Sequence, residues 1–82
     1  MQARQEIQQD LERYRQDALY FEAHRQELVD QYPERWVAIY RQQVVGAAKD
    51  LGRLIRQLER KGIPRGRAFV EFATDREELL IL

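Results

Sequence analysis

The chain has 82 residues, 14 basic and 14 acidic groups, one histidine and no cysteine. A chain of this size buries only roughly 60% of the surface its unfolded form exposes, and with neither disulfides nor a zinc set to supplement the core it must rely on helix packing or self-association. These numbers exclude a disulfide scaffold and a structural-zinc module, imply no cofactor, and point to a single domain, 1–82, expected to be a homo-oligomer.

The neutral total hides a pattern. Residues 1–34 carry four basic and eight acidic groups, 35–50 three and one, 51–70 six and one, and 71–82 one and four. The middle is basic and both ends are acidic, which suits self-complementary pairing or a basic patch for a partner. The start, MQARQEIQQDLERYRQ, is charged where a secretory segment would be apolar, and no apolar run approaches the ~18 residues of a membrane span. A cytoplasmic protein without a membrane partner is the expectation.

From Ile7, the positions Leu11, Tyr14, Ala18, Phe21, Arg25, Leu28 and Tyr32 follow in alternating steps of four and three, broken only by the charge of Arg25. That is a heptad seam, and it predicts one long helix over 1–31 that stops before Pro33. Two uses of the seam stay open. Ile7, Leu11, Tyr14, Ala18, Phe21 and Leu28 could form a coiled coil between subunits, or the helix could pack on its own sheet, as the off-seam Leu19 and Tyr20 suggest.

The region 32–73 reads as a ββαβ core. Trp36 to Tyr40 and Val44 to Ala48 are β-rich runs separated by Arg41-Gln42-Gln43, a hairpin whose connection lacks the glycine or asparagine of a tight turn and so predicts a longer or bulged loop. Both faces of the first run are apolar, which places it centrally. Asp50 is a good N-cap for a second helix with Leu51, Leu54, Ile55 and Leu58 on one face, and Gly62 and Pro64 end it. Arg67 to Ala73 predicts a third strand. A crossover through the second helix gives a three-stranded mixed sheet of order 2-1-3 in an α+β fold. The tail 74–82 turns acidic and ends in Leu79-Leu-Ile-Leu82, four apolar residues expected to add a short strand to this sheet or to a partner's.

The Tyr32-Pro33-Glu34-Arg35-Trp36-Val37-Ala38 stretch, Val44-Val45-Gly46, and Asp50 opening a helix that closes at Gly62 resemble a family of short bacterial and archaeal proteins, the domain of unknown function 5678. The likeness spans roughly residues 28–73, with Arg41-Gln42-Gln43 standing where the family customarily has an acidic-glycine turn. It implies a fold, no established activity, and an adaptor or antitoxin-like role.

Chemistry offers less. Serine and cysteine are absent, and Thr74, Lys49 and Lys61 sit at element ends, so no activated nucleophile is expected. His24 with Glu27 falls short of a metal set, and Gly62-Ile-Pro-Arg-Gly66 is not a phosphate loop. Arg53, Arg56, Arg60, Lys61, Arg65 and Arg67 form the one suggestive constellation, a phosphate-contacting face or an ordinary solvated one; without interleaved aromatics the solvated face is favoured. Tyr32 and Trp36 offer an aromatic surface at the entrance to the sheet. The sequence therefore predicts a non-enzymatic protein-interaction module, with a small nucleic-acid-binding protein as the alternative.

Overall fold

The computed structural model describes the backbone of residues 2–75 and the side chains of residues 11–75. The side chain of Ile7 and the tail from Leu79 to Leu82, with its expected strand, lie outside the described residues. The elements are α1 (Gln2–Ala23), α2 (Arg25–Gln31), β1 (Arg35–Tyr40), β2 (Gln43–Ala48), α3 (Leu51–Arg60) and β3 (Phe69–Ala73). The class is α+β, with one three-stranded sheet of order β2-β1-β3.

The sheet is antiparallel throughout, not mixed. Helix α3 carries the chain back so that β3 runs in the direction of β2, and β1 lies between them and opposes both.

The expected single helix is broken at His24. The His24 N–H is shared between the carbonyls of Tyr20 (3.0 Å) and Phe21 (3.2 Å). Its ring Nδ1 lies 2.9 Å from the Tyr20 oxygen, and the ring stacks on Tyr20 with centroids 4.1 Å apart. A side chain competing for an i−4 carbonyl is a physical reason for a helix to turn. Helix α2 then stops at Gln31, where Pro33 required it to.

Two apolar clusters flank the sheet. On one face Phe21 of α1 and Leu28 and Val29 of α2 pack on Val37, Ile39 and Ala73. On the other, Leu54 and Leu58 of α3 pack on Ala38, Ala48 and Ala68. Helix α3 matches expectation at both ends. The Asp50 side chain accepts from the Arg53 N–H at 2.8 Å, and Gly62, at φ 70°, allows the Ile63 N–H to reach the Leu58 carbonyl and the Gly62 N–H that of Glu59, the Schellman closure. The next strand begins at Phe69 rather than Arg67, because the Arg67 N–H is held at 2.9 Å by the Pro64 carbonyl in a turn.

Of the longer or bulged connection expected, the hairpin loop itself is not lengthened. Only Arg41 and Gln42 connect β1 to β2, and both adopt left-handed conformations, φ 53° and 60°, as the tight twist-matched turn demands. Such geometry costs a non-glycine residue about 1–2 kcal/mol. Asp17 of α1, 1% exposed, offsets it: its carboxylate accepts from the Gln42 N–H at 2.7 Å and the Arg41 N–H at 3.2 Å. Two successive N–H groups in such a turn form a concave anion receptor, and here the anion comes from the chain's own helix. The irregularity sits instead in the ladder: Ala38 faces Gly46 while Ile39 faces Val44, leaving Val45 as the extra residue of a bulge.

Candidate functional site, a sheet edge and its apolar groove

The two outer strands end the sheet differently. On β2, Gln57 of α3 takes the place of a missing strand. Its Oε1 accepts from the Ala47 N–H at 3.1 Å and its Nε2 donates to the Ala47 carbonyl at 3.0 Å. Lys61 Nζ donates to the carbonyl of the bulged Val45. Side chains that satisfy edge backbone groups are one way proteins prevent edge-to-edge pairing. Gly46 makes the closeness possible, since a Cβ there would stand 2.9 Å from both Gln57 Oε1 and Leu54 Cδ1.

On β3 the backbone alternation decides which groups face out. The polar groups of Ala47 point away from β1, so those of Val37 opposite it point to β3, where Glu71 is the partner. The Ala73 carbonyl, which accepts from the Glu34 N–H at 2.8 Å, agrees with this phase. In an antiparallel ladder the direction alternates residue by residue. Val70 and Phe72 therefore direct their N–H and C=O groups outward, and no described side chain covers them.

Beside this edge lies a groove. Helix α3 packs on β2 and β1, and between it and β3 a concavity of about 340 Å³ is lined by Trp36, Leu51, Ile55, Val70 and Arg65, among others, with Tyr14 of α1 also on its wall. Trp36 is fixed by a tilted contact with Phe72, ring centroids 5.3 Å apart, and the pair stands on the ladder Trp36–Phe72. Leu51 is 40% exposed and Ile55 half-buried. The opposite face of β3 is closed: Phe69 packs edge-on against Tyr14 at 5.5 Å and against Phe21 at 5.8 Å, and Glu71 pairs with Arg25, which also holds Glu22 at 2.6 Å. The hydrogen bond Arg25 donates to Glu22 raises the Arg25 pKa above its ordinary value, with partial burial opposing the effect and Glu71 adding to it.

The residues singled out in the sequence are dispersed by the fold. Along the seam, Phe21 and Leu28 are buried in the chain's own core, Ala18 is half-buried, and Leu11 and Tyr14 are exposed, at 65% and 42%. A seam continuous from Leu11 to Leu28 is thus not free for a second helix, because its C-terminal half is spent on the sheet. Tyr32 and Trp36 do not form one surface: Tyr32 packs with the α1-side cluster and Trp36 with the α3-side cluster. The cations divide as well. Arg53, Arg56 and Arg60 line a shallow basic concavity with Gln57, although Arg53 also pairs with Asp50 at 3.2 Å. Lys61 is engaged with β2, Arg65 lines the apolar groove, and Arg67 is exposed in the turn before β3. Among the described residues no three of His, Asp and Glu stand close enough to share a metal ion, and no helix is long and apolar enough to cross a membrane.

Sequence reasoning missed Phe72 and Val70 as surface and Gln57 as an edge seal, because α3's reach over the sheet cannot be read locally. Asp17 left a trace: an acid in the most apolar part of the first helix, and a hairpin without glycine.

The family comparison enters on this geometry. The model of a family of unknown function, DUF5678, matches residues 27–76, more than half of the chain, and the chain belongs to that family. The matched segment contains α2 from residue 27 on, the whole sheet and α3, and leaves α1, with Asp17 and Phe21, outside it. No curated protein and no solved structure matches the chain.

Proposed function

We propose that this chain is a non-enzymatic protein-interaction module that works as an oligomer, presenting the groove between α3 and β3 to a protein partner. The observation that carries the reading is the uneven cover of the sheet. One face is closed by α1 and α2 and one edge by Gln57 and Lys61, while Trp36, Ile55, Leu51 and Val70 line an accessible apolar concavity next to a strand whose outer edge no described side chain seals. Aromatic and aliphatic anchors in a preformed pocket are what protein interfaces use for most of their binding energy. The test is affinity capture from the native host with the unaltered chain and with Leu51→Lys combined with Ile55→Lys, at one exposed and one half-buried position, the variant first shown to keep a cooperative thermal transition. A partner retained by the first and lost from the second supports the reading; identical captures would refute it.

A second reading, nucleic-acid binding, is favoured by the concavity of Arg53, Arg56 and Arg60 on one exposed side of α3. Fluorescence anisotropy with mixed oligonucleotides at two salt concentrations tests it. Submicromolar binding lost on changing the three arginines to glutamine would place it first, whereas phosphate contacts too few to matter leave only weak association of roughly 10⁻⁴–10⁻⁶ M.

A further inference from the structure

The interaction reading leaves open what the strand edge itself receives. We infer that β3 pairs with β3 of a second copy, antiparallel about a two-fold axis through Glu71, so that two three-stranded sheets join into one of six strands. This inference rests on the interaction reading and names its partner.

Three observations lead to it. First, the edges are unequal: β2 is sealed by Gln57 and Lys61, so a second strand has one side on which to add, and there Val70 and Phe72 direct their backbone groups outward. Strand addition supplies main-chain hydrogen bonds for such an edge. Second, the charges on β3 are polar along the strand. Arg65 and Arg67 precede it, and Asp75 follows it at the start of the net-acidic run Asp75-Arg76-Glu77-Glu78. Antiparallel pairing of two copies sets each basic start beside the other's acidic end; parallel pairing would oppose like charges. Third, the register centred on Glu71 overlaps all five residues of each strand. It sets Val70 against Phe72 of the second copy twice, in hydrogen-bonded pairs, extending the aromatic contact of Trp36 and Phe72 across the junction. Glu71 then faces its own counterpart, and the Arg25 beside each one compensates the two carboxylates.

The register gives a chemical signature. Glu71 and its counterpart form a non-hydrogen-bonded pair, with Cα atoms about 4.5 Å apart, inside the ~4.4–6.8 Å that a disulfide spans. Two copies of Val70 stand diagonally, roughly 7–8 Å apart, beyond its comfortable reach. The chain has no cysteine of its own, so Glu71→Cys and Val70→Cys each introduce a single thiol. The inference expects Glu71→Cys to form a covalent dimer under mild oxidation and Val70→Cys to remain largely monomeric on a non-reducing gel. Light scattering of the unaltered chain at micromolar concentration should report twice the monomer mass. Val70→Pro removes an outward N–H that β1 does not use, and proline is tolerated at such edge positions; this variant should keep a cooperative thermal transition and fall to the monomer mass. A dimer unchanged by Val70→Pro, or a Glu71→Cys chain that stays reduced, would overturn the inference. A monomeric native chain whose captured partner still depends on Leu51 and Ile55 would overturn it too, together with the oligomer of the proposed function, and would leave only the groove standing as a protein-binding surface.

Discussion

The strands β2 and β3 flank the same central strand and differ in how they are held. β2 is tied to both helical layers: Asp17 of α1 grips the turn that leads into it, and Gln57 of α3 and Lys61 at its C-cap occupy its outer backbone. β3 is tied to the α1–α2 layer through the Phe69 contacts and the Arg25–Glu71 pair and touches the α3-side cluster through Val70, but no described side chain bonds to its outer backbone. The difference teaches that an edge is closed by whichever helix crosses it, so the placement of α3 over β2 and β1 is also why, among the described residues, no side chain seals the outer edge of β3.

The largest effect is expected at Asp17. Asp17→Ala leaves two N–H groups of a left-handed turn without their acceptor and should cost about 3 kcal/mol, read as a lower midpoint in urea unfolding. Retention of full stability would show that the turn holds its geometry unaided and would remove one of the two ties on β2.

Opening the sealed edge sharpens the comparison directly. Gln57→Ala removes both bonds to Ala47 and should cost about 1–2 kcal/mol. It should also make β2 competent for pairing, so that light scattering reports species larger than those of the unaltered chain. A variant that loses stability without any change in association would mean that the side chain matters to the fold and not as a guard.

The smallest effect belongs to Arg25. It is partly exposed and its pairs with Glu22 and Glu71 are screened, so Arg25→Gln should change thermal stability by at most about 1 kcal/mol, less as salt is raised. If β3 pairs with a second copy, the same change leaves two Glu71 carboxylates uncompensated and should weaken the dimer at low salt more than it weakens the fold.

Local signals were sufficient where a residue acts on its own neighbours. Asp50, Gly62 and Pro33 bound their helices as read, since caps and breakers work within a turn, and the apolar character of β1 on both faces placed it at the centre. The hairpin resisted because the group that stabilises Arg41 and Gln42 lies on a different element, 24 and 25 positions away. His24 resisted for a related reason: its ring competes for a backbone carbonyl inside a segment whose periodicity is otherwise helical.

What the amino-acid sequence determined by itself is the order of helical and strand segments and the α+β class, because periodicity, capping and strand composition are properties of short windows. What only the tertiary structure decided is which apolar residues remain on the surface. Phe21 and Leu28 share a stripe with Leu11 and Tyr14, and Leu51 and Ile55 share a face with Leu54 and Leu58, yet within each set some are buried and others exposed. Burial depends on where a helix lies across a sheet of finite width, and that is a sum over long-range contacts that no local pattern contains.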